Sequence, residues 1–131
     1  MKIAVSSNGQ TLNDQVDPRF GRCPHFVFVD TDGQDIKEVE ALKNPSVGAM
    51  RGAGIQAAQT VANRGASVAI TGNIGPNAFD ALSSAGVKIV AGASGSVKEA
   101  VNAYLDGKLS EISGPTSRMG RGKGGGRRRR R

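Results

Sequence analysis

The sequence predicts an α/β fold with a mixed sheet of about five strands, covered by three helices. Short apolar runs typical of buried strands alternate with segments of helical periodicity in the second half of the chain. An Asp-Gly turn in the first third predicts a hairpin, whose strands are antiparallel. Right-handed crossovers bring the strands that follow the helices parallel into the same sheet. The predicted order of elements is therefore βββαβαβα.

Three strands are predicted in the first third of the chain. A short apolar run at residues 3–5 predicts a buried first strand, Lys2 to Ser7. The second strand, His25 to Asp30, contains four consecutive strand-favouring side chains. The segment from Asp35 to Leu42, which follows the turn, has apolar residues whose spacing would fit a helix as well as a strand. We assign it as an edge strand because the Asp-Gly turn before it favours a hairpin.

Three helices follow, and short buried strands at residues 68–70 and 87–90 precede the last two. The first helix is expected to end near Arg64, with four residues facing the core: Ile55, Ala58, Val61 and Ala62. The second helix begins at Pro76. Proline is favoured at the first helical position, because the N–H group that it lacks would have no partner within the helix. Ser96 and Glu99 predict a capping box at the start of the third.

The formal charge of +7 belongs to the C-terminal end of the chain. Residues 114–131 hold eight of the 18 Lys and Arg residues and no acid, which leaves ten basic and eleven acidic residues before them. We therefore predict a nearly neutral folded domain over residues 1–113 and a disordered Gly/Arg-rich tail over residues 114–131. A nucleic-acid-binding module is thus one candidate function. Without an aromatic residue in the tail, such binding should be unspecific.

One cysteine, Cys23, is present, so the chain cannot form an intrachain disulfide and suits a reducing compartment. No apolar run is long enough for a signal peptide or a membrane span. These observations predict a cytoplasmic protein that does not contact a membrane.

Three irregular, glycine-marked stretches form the candidate site: residues 8–24, 47–54 and 71–75. Long irregular loops inside a compact domain are often functional. The third stretch leads into Pro76, and such a strand–turn–helix corner gathers backbone N–H groups that can hold an anion. The corner alone fits an ordinary strand–helix connection equally well. Because parallel strands end at one edge of a sheet, we expect the three loops to meet in one cleft.

Four segments resemble the dinitrogenase iron–molybdenum cofactor biosynthesis family, which includes NifX-like proteins and the C-terminal domain of NifB-like proteins. They are Phe20-Gly21-Arg22-Cys23, Gly52-Ala53-Gly54-Ile55-Gln56-Ala57-Ala58, Thr71-Gly72-Asn73-Ile74-Gly75-Pro76-Asn77-Ala78-Phe79 and Gly92-Ala93-Ser94-Gly95-Ser96-Val97. The resemblance covers about residues 2–112. It implies a ribonuclease-H-like three-layer fold and a role in holding or carrying a metal–sulfur cluster or its precursor. Family members often have His before the Phe-Gly pair, whereas this chain has Arg19 there, so histidine cannot ligate from that position.

With this resemblance, the loops become a candidate cluster site. Cys23 is the best candidate for a direct ligand, since the neighbouring Arg19 and Arg22 would favour its thiolate. A simple buried thiol is the alternative. His25 could join Cys23 as a metal ligand, although one Cys-x-His pair is a weak metal site and a packed histidine is the alternative. The other candidate residues supply charge or backbone N–H groups: Arg19, Phe20, Gly21, Arg22, Arg51, Gly52, Gly54, Thr71, Gly72, Asn73 and Gly75.

No residue pattern in the chain indicates catalysis. A metal-dependent nuclease needs several converging carboxylates, whereas Asp30, Asp80 and Asp106 fall on unrelated elements. A Ser-His-Asp arrangement would have to rely on the single histidine, His25. We therefore predict a carrier, and not an enzyme, for a metal–sulfur cluster that contains iron, molybdenum or copper. Its expected partners are cluster-assembly proteins, and the chain would act as a monomer or a homodimer.

Overall fold

A computed structural model describes residues 1–116 and contains a five-stranded mixed sheet with three helices. The elements in chain order are β1 (Lys2–Ser7), β2 (His25–Asp32), β3 (Asp35–Lys43), α1 (Ala53–Asn63), β4 (Val68–Ile70), α2 (Pro76–Ser84), β5 (Lys88–Val90) and α3 (Val97–Leu105). The predicted order βββαβαβα and the mixed sheet are confirmed. The segment from Asp35, whose apolar residues would also fit a helix, is the edge strand β3, as predicted.

The sheet has the strand order β3-β2-β1-β4-β5. β1 pairs with β2, and β2 with β3, in antiparallel register, whereas β1, β4 and β5 are parallel. Val5 lies opposite Ile70, and Ile70 lies opposite Val90. The three parallel strands therefore end at the same edge of the sheet, where the loops after β1 and β4 leave it.

The core has two parts, one on each face of the sheet. α1 and α2 cover the face that carries Phe26 and Phe28, and α3 covers the face that carries Val27 and Val29. The alternation of apolar residues along β2 produces these two clusters, because successive side chains of a strand point to opposite faces. The result is a three-layer α/β/α arrangement.

One expected core residue of α1 is not in the core. Ile55 is 40% exposed, and the buried residues of this helix are Ala53, Ala57, Ala58 and Val61. At about 100° per residue, Ile55 lies nearly opposite Ala53 on the helix circumference. The prediction that Ile55 faces the core was wrong. It assigned the buried face of the helix without knowing that the helix begins at Ala53.

The described chain continues three residues past the predicted domain boundary at residue 113. Thr116 is hydrogen bonded to Ile74, in the turn between β4 and α2. The rest of the predicted tail, residues 117–131, lies outside the described residues. Among residues 1–116, no helix combines the length and apolar character needed to cross a bilayer.

Candidate anion-binding cleft

A cleft of about 430 Å³ opens at the sheet edge where β1 and β4 end. This volume lies within the usual range of small-ligand pockets, roughly 300–1,000 Å³. Three parts of the chain line it: the loop after β1, the start of α1 and the turn from β4 into α2. The lining residues are Pro18, Arg19, Phe20, Gly21, Arg22, Ala53, Gly54, Asn73, Ile74, Gly75, Pro76, Asn77 and Ala78. This described lining contains two arginines and no acidic residue.

Buried hydrogen bonds join the loop after β1 to the turn after β4. The Ser6 hydroxyl oxygen lies 2.7 Å from the carbonyl oxygen of Asp17 and 2.8 Å from the hydroxyl oxygen of Thr71. The backbone N–H of Asn73 donates to the carbonyl of Pro18 at 2.8 Å. The predicted meeting of the first and third loops therefore occurs, and Thr71 contributes to it as a buried structural residue outside the lining.

Two glycines allow the backbones around the cleft to approach closely. A Cβ atom on Gly72 would lie 2.7 Å from Cα and 2.9 Å from Cβ of Pro18. A Cβ atom on Gly21 would lie 3.0 Å from the backbone nitrogen of Gly54. Gly72 thus fits the third loop against the first, and Gly21 fits the first loop against the start of α1. Gly72 itself is buried behind the cleft and does not line it.

The N-termini of α1 and α2 both face the cleft and neither has a side-chain cap. Gly52 and Gly75 occupy the N-cap positions, and neither first turn contains an acid. Within residues 1–116, no protein acceptor is hydrogen bonded to the backbone N–H groups of Gly54, Asn77 or Ala78. Such groups, at the positive ends of two helix dipoles, can bind an anion.

The N-terminus of α3, on the other face of the sheet, has all its first-turn N–H groups occupied. Val97 and Lys98 donate to carbonyl oxygens of the first loop, each at 2.9 Å. Glu99 donates to the Ser96 hydroxyl at 3.0 Å, and the Glu99 carboxylate accepts from the Ser96 N–H at 2.8 Å. The predicted capping box is therefore present, and free N–H groups are concentrated at the cleft.

Arg19 lines the cleft while its guanidinium is held by Asp17. Nε and Nη2 of Arg19 donate to the two carboxylate oxygens at 3.1 and 2.9 Å. Burial raises the pKa of Asp17, but the hydrogen bonds from the Arg19 guanidinium and backbone N–H outweigh it, and the net pKa is lowered. Asp17 is therefore ionised. The Arg19 side chain remains 64% exposed, so Asp17 orients it but also neutralises part of its charge.

Arg22 lines the cleft and also fixes the second loop. Its Nη1 donates to the carbonyl oxygen of Val47 at 3.3 Å and to that of Ala49. The second loop thus reaches the site through Arg22 and through Gly54 at the start of α1. Arg51 is exposed and Gly52 has a left-handed conformation with φ of 69°, and neither lines the cleft.

The structure contradicts the expectation that nearby arginines favour the thiolate of Cys23. The residue is completely buried in the cluster beneath α1 and α2. Burial, with a smaller contribution from the charge of Asp17, raises the pKa of the thiol to about 12. Arg19 is paired with Asp17 and Arg22 with the second loop, so neither offsets the cost of burying a thiolate. In this conformation Cys23 is the simple buried thiol that the sequence left as the alternative.

Asn44 explains why Cys23 points into the core, and sequence reasoning missed it. Its side-chain amide is fully buried and donates to the carbonyl oxygens of Cys23 at 2.8 Å and Gly21 at 3.3 Å. The amide oxygen accepts from the backbone N–H and the hydroxyl of Ser46. Asn44 therefore fixes the end of the first loop against the second. Its position before Pro45 was the available signal, but it indicated only a chain break.

His25 does not meet Cys23 in a shared metal site. Phe26 belongs to the cluster that contains Cys23, so strand alternation places the His25 side chain on the opposite face. There its Nε2 lies 3.3 Å from Nε2 of Gln10. Within residues 1–116, no group of three or more His, Cys, Asp or Glu side chains is placed to hold a metal ion. The proposed Cys23–His25 pair is thus corrected.

Seven predicted site residues line the cleft: Arg19, Phe20, Gly21, Arg22, Gly54, Asn73 and Gly75. Sequence reasoning missed the apolar wall formed by Pro18, Ile74 and Pro76, and the first turn of α2 at Asn77 and Ala78. Pro76 was identified as the helix start, and the two residues after it could have been inferred from that signal. Whether the seven residues bind a cargo stays a prediction.

The family model described as dinitrogenase iron–molybdenum cofactor matches residues 1–107. This chain belongs to that family. The match includes every strand and helix of the sheet domain. The resemblance seen in the sequence motifs is therefore confirmed.

Relatives of this family member extend over nearly the same length. An uncharacterized protein of Methanocaldococcus jannaschii is 32% identical over 112 residues, which cover 86% of this chain and 92% of the relative. The apo form of the orange protein from Desulfovibrio gigas is 40% identical, with a TM-score of 0.80 over 87% of this chain and 94% of the other. A protein from Thermotoga described as a candidate NifB protein is 34% identical, with a TM-score of 0.72 over 84% and 91%. None of these descriptions tests the ribonuclease-H-like label, which stays a prediction.

Proposed function

We propose that this protein is a carrier that holds an anionic metal–sulfur cluster, or a precursor of one, in the cleft between α1 and α2. The observation that carries this proposal is the convergence of two uncapped helix N-termini on one cleft that is lined by Arg19 and Arg22 and by no acid. The family, which is named for the iron–molybdenum cofactor, supplies the class of cargo.

The lining matches the chemistry of a cluster whose surface is made of sulfide. Backbone N–H groups arranged around a concavity are a known way to bind phosphates and iron–sulfur clusters, because each N–H contacts an anionic atom. The apolar wall of Pro18, Ile74 and Pro76 suits large, polarizable sulfide better than a small, strongly hydrated anion. A cargo held by charge and backbone can be released without breaking a thiolate–metal bond.

The proposal includes an accessory role and excludes catalysis by the protein. In the described residues, the ionisable groups that line the cleft are two arginines, neither of which is a general acid or base at neutral pH. The partners would be the proteins that supply the cluster and receive it. A nucleic-acid-binding role draws no support from the family or from the relatives reported above.

Asn77→Asp tests the cleft by placing a negative charge beside the free N–H groups of α2. Asn77 is exposed at the second position of the helix. The new carboxylate should stabilise the domain by about 0.3–1 kcal/mol through the helix dipole. It should also repel an anionic cargo and weaken its binding at least about tenfold. Tetrathiomolybdate, a molybdenum–sulfur dianion, serves as the probe, and visible absorption and metal analysis measure its binding without oxygen.

Asn102→Asp is the matched control for charge. Asn102 lies in α3, on the other face of the sheet, and the substitution changes the net charge by the same amount. The control should bind tetrathiomolybdate like the unmodified chain. Equal binding by the Asn77→Asp chain and the unmodified chain would contradict the cleft as the site, and absence of saturable binding by the unmodified chain would contradict the carrier role.

A further inference from the structure

Asp17 is a rigidly held carboxylate next to the cleft. Its side chain is only 2% exposed. Its backbone N–H donates to the carbonyl of Ser6 at 2.9 Å, and its carbonyl accepts from the Ser6 hydroxyl at 2.7 Å. The next residue, Pro18, accepts from the backbone N–H of Asn73 in the turn after β4. Asp17 is therefore fixed against the ends of two strands, and a group that it binds is positioned relative to the sheet.

The group that Asp17 binds is Arg19. Oδ1 of Asp17 accepts from the backbone N–H of Arg19 at 2.8 Å and from its Nε at 3.1 Å, and Oδ2 accepts from Nη2 at 2.9 Å. The backbone bond closes a turn over Pro18, and the two side-chain bonds hold one edge of the planar guanidinium. A long side chain loses rotamer freedom when a ligand orders it. This arrangement orders Arg19 before any ligand binds.

The opposite edge of the Arg19 guanidinium stays available. A guanidinium has five N–H donors, and Asp17 occupies two of them, one on Nε and one on Nη2. The remaining donors, on Nη1 and Nη2, have no acceptor among residues 1–116. Two parallel N–H groups on one edge can contact two neighbouring atoms of an anion at once. Arg19 lines the cleft and its side chain is 64% exposed, so an anion in the cleft can reach this edge.

We propose that Asp17 is a positioning residue, which fixes the Arg19 guanidinium so that its unoccupied edge binds two adjacent sulfides of the cargo. This inference rests on the proposed function, because it takes the cargo to be an anionic metal–sulfur species. Charge alone predicts the opposite role for Asp17. A carboxylate near the cleft repels an anion, so removal of its charge alone should strengthen binding. Removal of a positioning group should weaken it.

A double-mutant cycle separates these two effects. Its four chains are the unmodified full chain, Asp17→Asn, Arg19→Gln and the chain with both substitutions. An asparagine side chain keeps an oxygen for the backbone N–H of Arg19, so the turn over Pro18 is retained. Its amide NH₂ cannot accept from Nη2, so the two-bond grip on the guanidinium is lost. Equilibrium titration with tetrathiomolybdate without oxygen measures affinity, and urea denaturation establishes which chains are folded.

Asp17→Asn should weaken binding about three- to tenfold when Arg19 is present, which is the effect expected for releasing one long side chain. In the Arg19→Gln chain, the same substitution should leave binding unchanged or strengthen it, because no guanidinium remains to be positioned. Stronger binding by the Asp17→Asn chain than by the unmodified chain overturns the inference. An equal effect of Asp17→Asn in both backgrounds also overturns it.

Arg19→Lys tests the guanidinium edge without removing charge. Lysine can still pair with Asp17, but it presents one nitrogen and no planar edge. This chain should bind tetrathiomolybdate at least about threefold more weakly than the unmodified chain. Arg64→Lys is the matched control, because Arg64 is also ion-paired, with Glu40, and follows the C-terminal end of α1, away from the cleft. Equal affinity of the two lysine variants overturns the inference, and this comparison holds even if Asp17→Asn does not fold.

The ¹⁵N signal of Arg19 Nε reports directly on the contact with Asp17. The signal is assigned by its absence from the Arg19→Lys chain. If Asp17 holds the guanidinium while the cargo binds its other edge, the Nε–H signal should keep slow hydrogen exchange and shift little at saturation. A large shift with fast exchange would mean that the guanidinium leaves Asp17 for the cargo, which overturns the inference.

Two outcomes separate this inference from the carrier role itself. If Asn77→Asp weakens binding while the effects in the cycle are additive, the inference fails and the proposed function stands. If the unmodified chain does not bind tetrathiomolybdate saturably, the proposed function fails and the inference fails with it.

Discussion

Iodoacetamide is expected to alkylate Cys23 about a thousand times more slowly in the folded protein than in the urea-unfolded chain at pH ~8. The folded thiol has a pKa of about 12, whereas its ordinary value is 9.0. Only the thiolate reacts at a useful rate, and this difference of about three units lowers its fraction about a thousandfold. Mass spectrometry of timed samples measures both rates. Comparable rates in the two states would contradict the buried thiol and restore Cys23 as a candidate ligand.

The same burial makes stability depend on pH in the alkaline range. Because the pKa of Cys23 is raised on folding, the unfolded chain loses its thiol proton first as the pH passes 9. The free energy of unfolding should therefore fall between pH 9 and pH 12, by about 2 kcal/mol at pH ~10.5. Cys23→Ala is the control, since it removes this titration while other groups titrate equally in both chains. A constant difference between the two chains from pH 8 to pH 10.5 would contradict the shift.

Gly72→Ala is expected to destabilise the domain by about 2–3 kcal/mol, the upper range for overpacking in a tight contact. The added Cβ would lie 2.7 Å from Cα of Pro18, a backbone atom that cannot rotate away. The first and third loops would have to separate, and the hydrogen bond from Asn73 N–H to the Pro18 carbonyl would weaken. Because both loops line the cleft, binding of tetrathiomolybdate should weaken as well.

Gly48→Ala is the matched control for this substitution. Nothing lies within 4 Å of a Cβ atom built on Gly48, and its φ is not positive. Its free energy of unfolding should stay within about 0.5 kcal/mol of that of the unmodified chain. Urea denaturation of all three chains measures the differences. A Gly72→Ala chain as stable as the Gly48→Ala chain would mean that the two loops are not held together as described.

The elements of this fold were predictable because each depends on local signals. The Asp32-Gly33 turn identified the hairpin, and Gly33 indeed has a positive φ of 63°. Pro76 identified the start of α2, and Ser96 with Glu99 identified the start of α3. These signals act within a few residues, so they are visible in one sequence without knowledge of what packs against them.

The chemistry of the site depended on contacts that no local pattern contains. Arg19 and Arg22 lie within four residues of Cys23 in sequence, yet their guanidinium groups are hydrogen bonded to Asp17 and to the second loop. The orientation of Cys23 is set by Asn44, 21 residues away. The contact between Thr116 and Ile74 spans 42 residues and depends on where the chain runs after α3. Sequence therefore predicted which loops meet, but not which of their atoms face the cleft.

The central claim, that free N–H groups of α1 and α2 bind an anionic metal–sulfur cargo, is tested most directly by amide chemical shifts. The ¹⁵N-labelled full chain is titrated with tetrathiomolybdate, which is diamagnetic, and backbone N–H signals are followed. The largest saturable shifts are expected at Gly54, Asn77 and Ala78. The N–H groups of Lys98 and Glu99, which already donate to protein acceptors, should change little. Shifts centred on α3, or no saturable shift at the starts of α1 and α2, would contradict the account.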